Sequence, residues 1–168
     1  MARKIILDVD TGSDDAVAIM SAILAENIQL EAICTVAGNK ELDMTTENTL
    51  RVVQLMGADV PVYRGCPEPL VKFLCPDRLE KQSRGDRGKI VDKNGKVHMM
   101  HSDYLEIPAA TIHEQKISAP EFYVQYLRET QEKVTLVAVG PLTNLAVALT
   151  MDPKITEKIE EIVIMGGG

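Results

Sequence analysis

Apolar residues occur in short runs that alternate with longer stretches of mixed polarity. The runs at 4–9, 29–36 and 60–63 are rich in branched side chains and too short for helices, so they predict buried strands. The stretches at 14–27 and 45–56 carry apolar residues at helical spacing, which is typical of amphipathic helices. This alternation predicts right-handed crossovers and a parallel sheet in the first part of the chain.

The ends and faces of these two helices can also be predicted. Ser13 is the candidate N-cap of the first helix, and Gly57 is the candidate C′ residue of the second. Four apolar residues of the first helix are expected to face the core: Val17, Met20, Ile23 and Leu24.

Regular patterning fails between 66 and 117, where prolines and glycines interrupt every candidate element. A stretch of this length predicts an irregular loop, a lid or an insertion. Patterning returns at Ser118, which forms a capping box with Glu121 and opens a helix to about residue 130. The elements predicted after it are a strand at 134–139, a helix at 142–150 and a strand at 159–165.

These elements predict an α/β fold, with one domain over residues 1–168 and an open, mostly parallel sheet flanked by helices. Three glycines follow the last strand at 166–168. Ligands bind at the carboxyl ends of such strands in open α/β sheets. We therefore expect further site-forming chain to follow, so that this sequence is a truncated form.

Composition and charge narrow the classes of partner. The net charge of the 168 residues is −7, which argues against nucleic-acid binding through phosphates. No apolar stretch approaches the roughly 20 residues that a membrane helix needs. No signal peptide precedes Arg3, so a cytoplasmic location without a membrane partner is expected. Three cysteines, Cys34, Cys66 and Cys75, lack zinc spacing and indicate idle thiols in a reducing compartment.

The densest polar feature is a cluster of four aspartates within eight residues: Asp8, Asp10, Asp14 and Asp15. Alternation along a strand places Asp8 and Asp10 on one face, with Asp10 at the carboxyl end. The other two fall in the first turn of the next helix, where the helix dipole favours negative charge. Carboxylates this close must raise a pKa or hold a cation, so the cluster predicts a metal site.

Two known acidic patterns match this cluster incompletely. An EF-hand loop needs its glycine at position 6, whereas Gly12 is the fifth residue counted from Asp8. A phosphatase of the aspartyl-nucleophile superfamily also opens with a strand that ends in Asp-x-Asp, and would use Asp8 as nucleophile with Mg²⁺. That superfamily has threonine or valine where this chain has Gly12. The phosphatase is therefore the alternative enzyme hypothesis.

The stretch at 8–16, DVDTGSDDA, resembles the amino-terminal signature of the inosine-uridine-preferring nucleoside hydrolase family. Three later motifs carry the same resemblance: AGN at 37–39, VGPLTNLA at 139–146 and IMGGG at 164–168. Together they extend over nearly the whole chain, with the weakest likeness in the middle region.

This resemblance implies hydrolysis of the N-glycosidic bond of ribonucleosides through an oxocarbenium-like transition state. Asp10, Asp15 and the backbone carbonyl of Val139 would ligate Ca²⁺, which would hold the nucleophilic water and lower its pKa. Asp10 would also accept the proton of that water as general base. The residues that would contact the ribose are Asp14, Asn39 and Met165.

Other polar residues are expected to have supporting roles or none. Asp8 is predicted to be hydrogen-bonded behind the ligands, without binding the ion itself. Thr143 and Asn144 are predicted to fix the start of a helix. For His98 and His101 in the middle region, a solvated loop is favoured over a metal pair.

The family's domain is nearly twice as long as this chain, and its further metal, ribose and base contacts lie beyond the matched region. We therefore hypothesise that this chain alone has little or no hydrolase activity. The non-enzyme alternative is a Ca²⁺- or ribose-binding remnant without turnover. The resemblance also implies a homo-oligomer, either a dimer or a tetramer.

Overall fold

The fold is built around a parallel sheet of five strands. The computed structural model describes residues 2–74 and 89–166. Its strands and α-helices are, in chain order, β1 (Arg3–Val9), α1 (Ser13–Leu24), β2 (Ile28–Thr35), α2 (Leu42–Leu55), β3 (Val62–Arg64), β4 (Lys89–Val91), β5 (Val97–Met99), α3 (Ala119–Glu129), β6 (Val134–Ala138), α4 (Thr143–Met151) and β7 (Ile159–Ile164). Short 3₁₀ segments span Lys72–Leu74 and Pro153–Lys158.

The strand order is β3-β2-β1-β6-β7, and all neighbouring strands are parallel. This confirms the predicted open α/β sheet. The chain leaves the central strand β1 towards β2 on one side and later returns to β6 on the other side. A crevice forms at such a switch point, outside the carboxyl ends of the two central strands. The fold therefore directs attention to the turns that follow β1 and β6.

Two apolar layers cover the sheet, and β1 contributes to both. Ile5, Leu7 and Val9 pack with residues of α1 and α2, whereas Ile6 packs with residues of α3 and α4. Asp8 shares the face of Ile6 and reaches α3. A carboxylate therefore occupies a position where strand alternation would normally place an apolar side chain.

The first helix differs from its predicted form. It ends at Leu24 instead of residue 27, and its N-cap is Gly12 instead of Ser13. Val17 and Leu24 are 58% and 69% exposed, so the predicted core face is wrong at these two positions. Asp15 is buried and accepts a hydrogen bond from the backbone N–H of Gly12. The face of α1 that packs against the sheet instead carries the smaller residues Ala16 and Ala22 together with Ile19.

The other predicted helices and strands are confirmed, with ends that differ by at most three residues. Gly57 has a φ of 60°, as expected of a left-handed residue that ends a helix. Ser118 and Glu121 form the predicted capping box. The helix-end signals at Gly57 and Ser118 are therefore confirmed, whereas the predicted N-cap at Ser13 is wrong.

The region at 66–117, predicted as an irregular loop or insertion, contains a hairpin of β4 and β5. After the hairpin, the chain runs along α2 without regular secondary structure. Residues 75–88, which include Cys75, lie outside the described part, whereas Cys34 and Cys66 are free thiols. Among the helices described, none is long and apolar enough to cross a membrane.

Candidate active site

The crevice at the carboxyl ends of β1 and β6 contains the acidic cluster. Asp10 directly follows β1, and Val139 directly follows β6. The backbone N–H groups of Val139 and Gly140 donate to the carbonyl oxygen of Asp8 at 2.9 and 3.4 Å, which holds the strand ends together. A Cβ atom on Gly140 would lie 2.9 Å from Asp10 Oδ1. Gly140 is therefore packed against Asp10.

The turn after β2 closes on the same carboxylate. The backbone N–H of Asn39 donates to Asp10 Oδ2 at 2.7 Å, and its Nδ2 donates to Asp15 Oδ2 at 3.4 Å. Gly12 N–H donates to the same Asp15 oxygen at 3.0 Å. A Cβ atom on Gly38 would lie 2.0 Å from Asp10 Oδ2, so only glycine permits this close approach. Asn39 therefore bridges the two carboxylates.

The two bridged carboxylates bind protons more tightly than ordinary aspartates do. Burial, followed by the charge of Asp15, raises the pKa of Asp10 to about 6, and the backbone N–H of Asn39 opposes that rise. Burial also raises the pKa of Asp15, against a hydrogen bond from Gly12. Because each charge disfavours the other, the pair would be stabilised by a cation.

Among the described residues, no lysine or arginine side chain supplies this cation. None of the lysine or arginine ion pairs in residues 2–74 and 89–166 involves Asp10 or Asp15. In the same ranges, no three His, Cys, Asp or Glu side chains are grouped so that they could hold a metal ion. A bound cation would therefore need backbone, amide, water or substrate oxygens beside the two carboxylates.

Asp14 and His101 lie on the open side of the crevice. The Asp14 side chain is exposed, and its Oδ1 lies 3.8 Å from His101 Nδ1. The His101 ring covers Gly12, where a Cβ atom would lie only 2.4 Å from Nδ1. That nitrogen is buried and has no hydrogen-bond partner among the described residues. The prediction of a solvated loop is therefore wrong for His101, whereas the exposed His98 pairs with Asp92.

Asp8 lies behind the crevice, between the sheet and α3, and is only 3% exposed. The Tyr123 hydroxyl donates to Asp8 Oδ2 at 2.9 Å, and Asn144 Nδ2 lies 3.1 Å from both carboxylate oxygens. Burial raises the pKa of Asp8 to about 7, and these hydrogen bonds oppose the rise. An enclosed carboxyl has no open path to a substrate. This position argues against the phosphatase alternative, in which Asp8 would be the nucleophile.

Asn144 uses its whole carboxamide to join separate segments of the chain. Besides Asp8, its Nδ2 donates to the carbonyl oxygen of Thr35 at 2.9 Å, and its Oδ1 accepts from the N–H of Cys66 at 2.8 Å. Sequence reasoning assigned Asn144 only to the start of a helix and gave Tyr123 no role. The one signal for Asn144 was an asparagine in the first turn of an otherwise apolar helix.

A comparison with known proteins decides the family. The model of one family, described as inosine-uridine preferring nucleoside hydrolase, matches residues 5–168. The chain belongs to this family. The match includes every strand of the parallel sheet and all the turns that form the crevice.

Individual nucleoside hydrolases resemble this chain over about half of their own length. The pyrimidine-specific ribonucleoside hydrolase RihB of Escherichia coli O157:H7 (strain EC4115 / EHEC) is 42% identical over 98% of this chain and 48% of the relative. RihA of Enterobacter sp. (strain 638), with the same described specificity, is 38% identical over 99% of this chain and 49% of the relative. The solved purine-preferring ribonucleoside hydrolase from Gardnerella vaginalis is 30% identical with a TM-score of 0.76, over 99% and 49% of the two chains.

The structure brings together most of the residues that the nucleoside hydrolase resemblance singles out. These residues are Asp10, Asp14, Asp15, Asn39 and Val139. Met165 is placed differently, because it follows β7, two strands away from β1, and its side chain is 60% exposed. The last two glycines of the motif at 164–168 lie outside the described residues.

The raised pKa of Asp8 predicts how the stability of this nucleoside hydrolase chain depends on pH. The folded-state pKa, about 7, lies above the ordinary value of 3.8. The folded state therefore binds this proton more tightly than the unfolded state does, and the resulting stability is lost as the pH rises from about 4 to 7. Between about pH 5 and 6.5 we expect the free energy of unfolding of wild type to fall by about 2 kcal/mol relative to that of Asp8→Asn. In this range each pH unit lowers the stability of wild type by about 1.4 kcal/mol.

Urea unfolding of both proteins in EDTA measures this difference. The asparagine keeps the size of the side chain but removes its titration. Other carboxyl groups titrate in both proteins, so the difference between the two curves isolates Asp8. A difference that is constant from about pH 5 to 6.5 would contradict the raised pKa.

Proposed function

We propose that this chain forms the amino-terminal part of a site that hydrolyses the N-glycosidic bond of ribonucleosides to ribose and free base. The observation that supports this proposal is the convergence of Asp10, Asp15 and the Val139–Gly140 peptide in one crevice, with Asn39 bridging the carboxylates. The family model and the relatives support the same reaction class.

Ca²⁺ is the ion proposed for this site. Asp10 and Asp15 would each provide carboxylate oxygen, and Val139 would provide its backbone carbonyl. Oxygen donors alone, at a buried position with two mutually repelling carboxylates, suit a hard cation that accepts six to eight ligands. When bound, such an ion lowers the pKa of water and stabilises negative charge on oxygen.

Asp10 is proposed as the general base. A base is most effective when its pKa lies near the working pH. Burial and the neighbouring Asp15 raise the pKa of Asp10 to about 6 in the metal-free chain, and a bound cation would lower that pKa again and keep the carboxylate ionised and able to accept a proton. Its Oδ2 is fixed by the N–H of Asn39 at 2.7 Å. This hydrogen bond would hold the carboxylate towards an attacking water in the crevice.

The ribose is proposed to bind between Asp14 and Asn39. Asp14 is exposed on the open side of the crevice, where its carboxylate can accept hydrogen bonds from hydroxyl groups. Asn39 already orients both buried carboxylates through its backbone and side chain. Met165 is proposed as an apolar contact of the ribose, and Asp8 as the buried support of the β1 end. Assembly into a dimer or tetramer is likewise proposed.

A chimera tests the proposal directly. We would replace the matched half of E. coli RihB by this chain and follow ribose release from uridine with a reducing-sugar assay. The chimera is expected to release ribose when Ca²⁺ is present and to lose this activity in EDTA. Asp10→Asn in the chimera is expected to lower the rate by about 10³-fold, within the range for loss of a general base.

The isolated chain provides the second arm of this experiment. We expect it to release ribose at less than about 1% of the chimera's rate, because activity falls steeply when part of a site that acts as a unit is missing. Equal rates would contradict the hypothesis of low activity. A folded chimera that is stabilised by Ca²⁺ but releases no ribose would instead support the binding remnant without turnover.

A further inference from the structure

The segment after the hairpin, residues 101–111, has no regular secondary structure and lies along α2; we call it the strap. Four side chains of α2 bind its backbone: the neighbours Glu47 and Asn48, then Arg51 four and three residues after them, and Gln54 three residues after Arg51. Side chains at this spacing lie on one side of a helix. The strap is therefore attached along its length to a rigid element.

Asn48 differs from the other three because it also bonds to the turn between β1 and α1, residues 10–12, which we call the acidic turn. It is fully buried. Its Nδ2 donates to the carbonyl oxygen of Thr11 and to that of Asp103, both at 3.2 Å. Its Oδ1 accepts from the N–H of Leu105 at 2.9 Å. One carboxamide therefore joins the turn that follows β1 to the strap.

The strap carries His101 to the crevice. The His101 ring covers Gly12, which follows Thr11 directly, and its Nδ1 lies 3.8 Å from Asp14 Oδ1. Gly12 leaves the space that the ring occupies, because a Cβ atom there would lie 2.4 Å from Nδ1. Asn48 and His101 thus connect the strap with consecutive residues of the turn.

We propose that Asn48 is a positioning residue that fixes the strap to the acidic turn and so keeps His101 beside Asp14 as one wall of the ribose site. Asn48 touches neither Asp10 nor Asp15 within the described residues, so its effect on ribose is indirect. The attachment of the strap to the acidic turn by Asn48 is supported by the hydrogen bonds alone. The consequence for ribose binding rests on the proposed function.

Amide hydrogen exchange and the NMR signal of His101 test, without any ligand, whether Asn48 attaches the strap to the acidic turn. In Asn48→Ala, we expect the Leu105 amide to exchange at least about tenfold faster, because its acceptor is lost. The Leu127 amide in the core of α3 should change far less. The NMR signal of the His101 ring should move towards that of a free imidazole. A purely structural role of Asn48 would instead raise exchange at both amides alike.

Gln54→Ala is the matched control. Gln54 holds the far end of the strap through Ala109 and Thr111, and none of these hydrogen bonds reaches the acidic turn. Its loss should leave the His101 signal and the Leu105 exchange near wild type. If Asn48→Ala does not fold, Leu105→Pro removes the same hydrogen bond from the strap side. Wild-type His101 and Leu105 behaviour in a folded Asn48 variant would overturn the proposal.

Ribose binding in the presence of Ca²⁺ tests the consequence. We expect the Ca²⁺ affinity of Asn48→Ala to lie within about threefold of that of wild type. Its ribose affinity should fall about tenfold, which corresponds to the loss of about one good hydrogen bond. If His101 leaves its position in Asn48→Ala while the ribose affinity stays unchanged, the proposal that His101 forms one wall of the ribose site is wrong. Wild type that binds neither Ca²⁺ nor ribose would refute the proposed function, while the exchange experiment would still decide the role of Asn48.

Discussion

Replacing Asp10 by asparagine is expected to weaken Ca²⁺ binding by at least about 100-fold. Loss of a residue that only supports a metal ligand commonly costs 10- to 100-fold in affinity, so loss of a charged ligand should cost more. Asparagine keeps the acceptor for the N–H of Asn39, which now donates to Asp10 Oδ2 at 2.7 Å. The turn should therefore keep its shape while the site loses half of its carboxylate charge.

Thermal unfolding should show two opposite effects of this substitution. Without metal, Asp10→Asn should be slightly more stable than wild type above about pH 6, because it removes a buried charge that Asp15 repels. With Ca²⁺ at about 100 times its Kd, wild type should gain about 2.7 kcal/mol, and the variant almost none. This gain corresponds to a rise in Tm of several degrees for a chain of this size.

Asp14→Asn is the matched control for this experiment. The change in charge is the same and the residue is close in sequence, but Asp14 is exposed and is not a proposed ligand. It should retain a Ca²⁺-induced rise in Tm close to that of wild type. A full response in Asp10→Asn, or its loss in both variants, would contradict the assignment of Asp10 as a specific ligand.

Replacing Asn144 by leucine is expected to lower the free energy of unfolding by about 3 to 5 kcal/mol. The change would remove a hydrogen-bond partner from three groups: the buried Asp8 carboxyl, which keeps only Tyr123, the buried Thr35 carbonyl and the half-buried Cys66 N–H. Leaving a buried polar group unpaired costs about 1 to 3 kcal/mol, and more when the group is charged. The site is also tightly packed, because a Cβ atom on Gly65 would lie 2.1 Å from Asn144 Oδ1.

Tyr123→Phe tests the same network with a smaller change. It removes one hydrogen bond to Asp8 and keeps the aromatic ring, so about 1 to 2 kcal/mol should be lost. Urea unfolding of both variants at one pH gives the comparison. A loss below about 1 kcal/mol for Asn144→Leu would mean that water replaces the carboxamide, and would refute its role in holding the strand ends.

The sequence alone predicted the order of strands and helices and the location of the acidic cluster. Both depend on local features that recur at fixed spacing. Branched apolar runs mark buried strands, and a capping box marks the start of α3. Four carboxylates within eight residues predict a cation site because repulsion between charges so close in sequence can be recognised without any tertiary contact. The DVDTGSDDA motif then identified the family that the later comparison confirmed.

Tertiary structure alone decided which polar side chains support the cluster. Tyr123 lies 115 residues from Asp8, and Asn144 lies 136 residues from it. His101 reaches Gly12 only because α2 holds the strap in place. Hydrogen bonds between distant segments leave no periodic pattern in the sequence, since they depend on how the helices pack on the sheet. The buried face of α1 was misassigned for the same reason: almost every position of this helix is apolar or small, and packing on the sheet selects the face of Ala16, Ile19 and Ala22 while Val17 and Leu24 stay exposed.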